Sequence, residues 1–151
     1  MNAIQETATI GKQRPARKAD YTANTHTTGG RDGGESRTSD GRLKVRFSLP
    51  GKPGSGTNPE QMLAAGWSSC FLSAIGIVAA KRKVNLPADS AIDAEVDLCT
   101  GENGFSLQAR FNVSLPGLDR EVAQAIVDAA HQTCPYSKAL RGNVGLETNL
   151  A

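Results

Sequence analysis

The sequence has little of what several protein classes depend on. It holds three cysteines and two histidines in 151 residues, with no Cys-x-x-Cys or His-x-x-x-His spacing. These cysteines are too few for a disulfide framework, and the two distant histidines form no recognisable zinc motif. The formal net charge is only +2, and no concentrated basic patch appears, so the charge gives no case for nucleic-acid binding.

The N-terminal stretch lacks the apolar run that a secretory signal requires. We expect residues 1–17, which are polar, to form a disordered extension ahead of a single domain over residues 18–151. A chain of this length buries a core without metals or disulfide bonds. We therefore expect a cytoplasmic protein whose three cysteines are catalytic, redox-active or simply buried.

The organising element is a long helix predicted over residues 58–83, with no charged residue from Met62 to Ala80. Asn58 suits the cap, Pro59 the first helical position, and Gln61 the place of a capping-box partner. Three basic residues end the stretch, where cations favour the negative end of the helix dipole. Its apolar residues do not keep to one stripe, which is typical of a helix enclosed on most sides.

A membrane span is the alternative for this helix. Its 19 uncharged residues come close to the roughly 20 needed to cross a bilayer. However, several serines, glycines and alanines lower its hydrophobicity, and the flanking amphipathic elements need an apolar partner to cover. We therefore predict a buried core helix.

Strands and further helices flank the central helix. The patterns predict an antiparallel meander of two or three strands in residues 16–49, with an Asp-Gly turn at 39–41. Beyond the helix they predict a hairpin, an amphipathic helix that the Cys134-Pro135 step should end or kink, one more helical turn and a last strand. These lie at residues 91–99 with 105–115, 118–131, 137–142 and 144–150. The order indicates an α+β fold around one core.

Cys70 lies in the middle of the central helix, where a thiol is either inert packing or a nucleophile. The helix N-terminus is too far away to stabilise its thiolate, so a nucleophilic Cys70 needs a cation from elsewhere in the fold. Arg31, in a glycine-rich turn, is a candidate cation or a solvated loop residue. Glu60 either interacts with the helix dipole or holds an arginine through a bidentate pair.

The other two cysteines differ in their surroundings. Cys134 follows an amphipathic helix and precedes Pro135, so it either fills the edge of the core or moves towards a partner. It could pair with Cys70, but a separation of 64 residues proves no disulfide. Cys99, late in a strand, has no evident partner, and we interpret it as structural.

Four segments together resemble the organic hydroperoxide resistance (Ohr) proteins of the OsmC-like superfamily. They occur in the family's order and include Cys70 and Cys134, whereas residues 1–17 and Cys99 lie outside the pattern. Trp67 stands where a smaller aromatic residue is expected, which could alter the pocket wall. The segments are TTGGRDG at 27–33, GTNPEQMLAAGWSSCF at 56–71, LPGLDREVAQAIVDAAHQTCPYS at 115–137 and RGNV at 141–144.

The resemblance implies a thiol peroxidase that reduces alkyl and fatty-acid hydroperoxides to alcohols. In this sequence Cys70 matches the peroxidatic cysteine, which becomes a sulfenic acid, and Cys134 matches the resolving cysteine, which closes the disulfide. Arg31 matches the arginine that stabilises the thiolate, and Glu60 the carboxylate that positions this arginine. The implied fold is an intertwined homodimer with antiparallel sheets around long central helices, reduced by a lipoyl dithiol on a carrier protein, without metal or flavin.

Two other functions remain open from the sequence. A non-catalytic redox sensor would use the same cysteine pair but turn over poorly with dithiols. A small-ligand binding module would keep the apolar pocket and lose nothing when Cys70 is replaced.

Overall fold

A computed structural model describes residues 17–151, so the predicted disordered extension lies outside the described residues except for Arg17. Blocks of strands and helices alternate, which confirms the predicted α+β class. In chain order the elements are β1 (Thr25–Thr28), β2 (Glu35–Thr38), β3 (Lys44–Arg46), α1 (Pro59–Lys81), β4 (Ala91–Gly101), β5 (Gly104–Ser114), α2 (Arg120–Thr133), α3 (Pro135–Leu140) and β6 (Gly145–Leu150).

The first sheet is the predicted antiparallel meander, in the order β1-β2-β3. Asp40 shapes its second turn, because Oδ1 accepts hydrogen bonds from Thr38 Oγ1 at 2.6 Å and from the Arg42 backbone at 3.0 Å. Gly41 follows with a φ of 75°, which glycine adopts without strain. In the described part of the chain, no strand of this sheet makes more than marginal contact with a helix or with the second sheet.

Helix α1 begins where the sequence predicts and ends at Lys81, two residues before the predicted end. The Asn58 side chain accepts a hydrogen bond from the Gln61 backbone at 2.8 Å, with Pro59 in the first turn. Gln61 does not complete a capping box with Asn58, because its side chain accepts a hydrogen bond from Thr57 Oγ1 at 2.8 Å instead. Lys81 lies in the last turn, where its charge favours the negative end of the helix.

One side of α1 forms the centre of the core. It packs against α2, β4 and α3, which supports a core helix even though its length and composition would also suit a membrane span. Its other side stays uncovered in one chain, along the stripe of Ala65, Ser69, Ser73 and Ile77. The buried side chains of α1 are Trp67, Phe71, Ala74, Ile75, Val78 and Ala79.

The second sheet has the order β4-β5-β6. Strands β4 and β5 form the predicted hairpin, joined by the two residues between Gly101 and Gly104. Its apolar face packs towards the helices, with Phe111 and Val113 fully buried. The predicted last strand becomes β6 and pairs with β5 in parallel, because α2 and α3 return the chain before it.

Helices α2 and α3 meet at Cys134. The Asp119 side chain caps α2, and the helix buries Ala123, Ile126, Val127 and Ala130 along one face, which confirms the predicted amphipathic helix. Cys134 ends α2 and precedes α3 in an extended conformation (φ −61°, ψ 124°), and Pro135 occupies the first turn of α3. The proline therefore ends one helix, as predicted, and starts the next two residues earlier than the sequence suggests.

Candidate active site

Cys70 lies half-buried on α1 and faces the start of α3. Burial raises the pKa of its thiol, because a thiolate loses solvation there. The Tyr136 backbone N–H acts in the opposite sense and lowers this pKa, whereas the neighbouring Cys134 raises it further. Among the described residues, no cation acts on Cys70, so the thiol is favoured over the thiolate there.

Cys134 is fully buried and next to Cys70, although the two are 64 residues apart in sequence. The end of α2 positions it, and its backbone N–H donates to the Ala130 carbonyl at 2.8 Å. Both cysteines are free thiols. The structure therefore brings together the two cysteines that the sequence could only suggest as a pair.

Arg31 and Glu60 form the bidentate pair that the sequence suggested. Arg31 Nη2 donates to Glu60 Oε1 at 2.8 Å, and Nη1 donates to Oε2 at 3.3 Å. The Arg31 side chain is 41% exposed and that of Glu60 only 11%. The hydrogen bond from Arg31 lowers the pKa of Glu60, and the carboxylate in turn raises the pKa of Arg31. Glu60 is therefore ionised at neutral pH and fixes the direction of the guanidinium.

The glycine-rich turn between β1 and β2 holds Arg31 in this position. Gly29 and Gly30, before the arginine, have φ angles of 73° and 67°. Gly34, after it, packs so closely on the chain that a Cβ atom would lie 2.1 Å from the Gly30 carbonyl oxygen. A side chain at Gly34 would therefore force this turn to open, because backbone atoms cannot yield to it.

The two pairs are not together within one chain. Glu60 and Cys70 lie ten residues apart on α1, which corresponds to about 15 Å along the helix axis. Since Arg31 is bound to Glu60, its guanidinium lies at the same end of the helix. A single chain thus holds two separate pairs of candidate residues, the thiol pair and the arginine–carboxylate pair.

A groove of about 740 Å³ opens beside Arg31 and Glu60. Lys52, Asn58, Gln61 and Glu95 also line it, but most of its surface is apolar. The apolar part of the wall is formed by Leu49, Pro50, Ala64, Ala94, Val96 and Leu98. The groove can accommodate a small apolar molecule next to a fixed positive charge.

Trp67 and Cys99, which the sequence also singled out, lie outside this groove. Trp67 is absent from the groove, because its side chain is 1% exposed and packs edge-on against Phe111 in the core. Trp67 therefore does not form part of this groove's wall. Cys99 is half-buried on β4 opposite Ser106. Among residues 17–151 no group of three or more His, Cys, Asp or Glu side chains could hold a metal ion.

Two contacts at this site were not predicted from the sequence. The Trp67 indole N–H donates to Ser137 Oγ at 3.0 Å, and both residues are buried. The Tyr136 side chain lies across Gly66, where a Cβ atom would come within 2.8 Å of the phenol oxygen. A polar residue two positions after Pro135 could have indicated a hydrogen bond of Ser137, but nothing in the sequence indicates that it lies opposite Trp67.

Comparison with known proteins gives consistent matches. Residues 49–149 match the family model described as OsmC-like protein, a range that includes Glu60 and both site cysteines. The organic hydroperoxide resistance protein of Xanthomonas axonopodis pv. citri is 42% identical over 135 residues, 87% of this chain and 94% of that protein. The organic hydroperoxide resistance protein OhrB of Bacillus subtilis is 42% identical over 135 residues, 86% of this chain and 97% of its own length.

Solved structures agree with the sequence matches. The crystal structure of B. subtilis OhrB has a TM-score of 0.83 and 40% identity, covering 88% of this chain and 100% of that chain. An organic hydroperoxide resistance protein from Legionella pneumophila has a TM-score of 0.82 and 41% identity, covering 89% and 99%. The predicted fold of a long central helix with two sheets is thereby confirmed.

Proposed function

Because this chain belongs to the OsmC-like family, in its branch of organic hydroperoxide resistance proteins, we propose that it is a thiol-dependent peroxidase. Its substrates are organic hydroperoxides, which it reduces to alcohols. The observation that carries this proposal is the adjacency of two free cysteines, one half-buried on α1 and one fully buried beside it.

The proposed reaction has two steps on the protein. The Cys70 thiolate attacks the distal oxygen of the hydroperoxide, the O–O bond breaks, and the alkoxide leaves and takes up a proton as the alcohol. Cys70 is thereby oxidised to a sulfenic acid. The Cys134 sulfur then attacks the Cys70 sulfur, water leaves, and a disulfide forms. The hydroperoxide has gained the two electrons that the cysteine pair has lost.

A dithiol restores both cysteines by exchange. Since Cys134 is 0% exposed and Cys70 is partly accessible, the incoming thiol attacks the Cys70 sulfur. A slender dithiol arm, such as a lipoyl group on a carrier protein, suits this approach. We propose the reducing cytoplasm as the compartment, because cysteines in such a compartment are more often catalytic or redox-active than structural.

The active form is proposed to be a homodimer in which one copy supplies Arg31 and Glu60 to the thiols of the other. Burial disfavours the Cys70 thiolate, so the reaction requires a cation, and the chain's own Arg31 lies about 15 Å away along α1. The described residues leave an uncharged stripe of α1, which includes Ala65 and Ile77, uncovered, and within them the first sheet has no closely packed partner. A second copy would cover both surfaces and complete two equivalent sites.

The first test is the mass and the free-thiol count after one equivalent of cumene hydroperoxide. We expect the wild type to lose two of its three thiols and Cys134→Ser to stop at a sulfenic acid that dimedone traps. Both results follow because only Cys134 lies next to Cys70. A wild type that keeps three thiols would leave ligand binding as the better function. Disulfide formation without turnover on added dihydrolipoamide would favour the redox sensor.

The apolar groove predicts a preference for alkyl hydroperoxides over hydrogen peroxide. We expect kcat/KM to be about a hundredfold higher for tert-butyl hydroperoxide, because each buried methyl or methylene contributes about 0.8 kcal/mol. Leu98→Ser, which changes an exposed residue of the groove wall, should lower the alkyl rate several-fold and leave the hydrogen peroxide rate unchanged. Equal kcat/KM values of the wild type for the two peroxides would contradict this prediction.

A further inference from the structure

The first turn of α3 docks on one turn of α1 beside the thiol pair. The Tyr136 side chain lies across Gly66, and its backbone N–H faces Cys70. Between these two contacts, the Trp67 indole N–H donates to Ser137 Oγ at 3.0 Å. The α1 residues involved occupy little more than one helical turn, from position 66 to position 70.

The bond between Trp67 and Ser137 is the one most sheltered from water. Trp67 is 1% exposed and Ser137 0%. A buried hydrogen bond of this kind is costly to break, because each partner is then left without water or another partner. Tyr136, in contrast, is 40% exposed, so its side chain alone does not hold α3 against α1.

Cys134 sits directly before this docked turn. Its carbonyl accepts the Lys138 backbone N–H at 3.0 Å, so Cys134 forms the first hydrogen-bonded turn of α3 together with Ser137. Cys134 is thus held on one side by the Ala130 carbonyl and on the other by the turn that contains Ser137, so loss of the Ser137 contact frees one of its two supports. Disulfide geometry tolerates little displacement, since the two Cβ atoms must come within about 4.5 Å.

We propose that Trp67 and Ser137 are positioning residues for the resolving step, because their buried hydrogen bond holds Cys134 within bonding reach of Cys70. This inference rests on the proposed peroxidase function. If these residues position Cys134, two reactions compete for the Cys70 sulfenic acid. Either Cys134 closes the disulfide with loss of water, or a second hydroperoxide oxidises the sulfenic acid to a sulfinic acid and leaves as its alcohol.

The experiment measures this competition by intact mass over a series of cumene hydroperoxide concentrations. The readout is the concentration at which half of the chains end with a sulfinic acid at Cys70. Since both products arise from the same sulfenic acid, this midpoint does not depend on how fast the sulfenic acid forms. We expect the midpoint to fall about tenfold in Trp67→Phe and in Ser137→Ala, because either change removes the same buried bond.

Two further variants test the assignment. The double variant W67F/S137A should resemble each single variant, since the bond can be lost only once. Val113→Ala removes volume from the same core without touching the bond, and should lower thermal stability while leaving the midpoint unchanged. An unchanged midpoint in both single variants, or an equal fall in Val113→Ala, would overturn the inference. Failure of the wild type to form a Cys70–Cys134 disulfide would instead overturn the proposed function.

Discussion

Cys70→Ser is expected to abolish peroxide reduction, with kcat/KM for tert-butyl hydroperoxide falling by at least about a thousandfold. A serine hydroxyl stays protonated at neutral pH and cannot take up the peroxide oxygen in the way a thiolate forms a sulfenic acid. Oxygen replaces sulfur with little change of shape at a half-buried position, so the fold should persist. The measurement is peroxide consumption coupled to oxidation of dihydrolipoamide.

The matched control for this prediction is Cys99→Ser. Cys99 is also half-buried, but it lies on β4 opposite Ser106 and outside the thiol pair. We expect this variant to keep the wild-type rate. Comparable circular dichroism spectra for both variants would show that the difference lies in the chemistry. Substantial turnover by Cys70→Ser would mean that Cys70 packs the core and that another group reacts with peroxide.

Arg31→Gln is expected to give the second largest loss, about ten- to a thousandfold in kcat/KM at pH 7. A nearby opposite charge shifts a pKa by about 1–3 units, so losing the guanidinium reduces the thiolate fraction accordingly. The sign of the pH dependence follows from burial, which raises the pKa of Cys70. Without Arg31 the thiolate forms only at higher pH. The rate of the variant should therefore keep rising with pH after the wild-type rate has levelled off.

A pH–rate profile from pH 5 to 10 measures this shift. Arg37→Gln is the matched control, since Arg37 is an exposed arginine on β2 with no resolved ion pair in the described residues. The pH–rate profile of Arg37→Gln should coincide with that of the wild type. A profile of Arg31→Gln that drops in height without moving along the pH axis would contradict the assignment of Arg31 to thiolate stabilisation.

Co-expression of Arg31→Gln with Cys70→Ser tests whether the site is shared between copies. Cys70→Ser alone should be inactive, and Arg31→Gln alone should retain only its reduced activity. If one copy supplies Arg31 to the other copy's Cys70, half of the randomly paired dimers carry one intact site, so about one quarter of the wild-type activity returns. If each chain uses its own Arg31, every mixed site is defective and activity stays at the level of the two variants. Mixing the separately purified proteins controls for dimers that do not exchange chains.

The sequence by itself determined the local elements of this protein. Asn58 and Pro59 start α1 because a cap and a first-turn proline act on adjacent backbone groups. Asp40 and Gly41 likewise form their turn through a contact with a neighbouring residue, the Arg42 backbone. The β4–β5 hairpin followed from alternation and a short turn. Such features depend on residues a few positions apart. Together with four family-like segments they were sufficient for the fold class and for naming the candidate residues.

The tertiary structure alone decided which candidates meet. The adjacency of Cys70 and Cys134, the burial of Trp67 against Ser137 and the parallel pairing of β6 all join positions far apart in the chain. Spacing does not encode such contacts, because they result from how complete elements pack around one core. The structure also separates Arg31 and Glu60 from the thiols by the length of three helical turns. A rigid helix cannot shorten that distance, so in the proposed homodimer it is the second copy that brings these residues together.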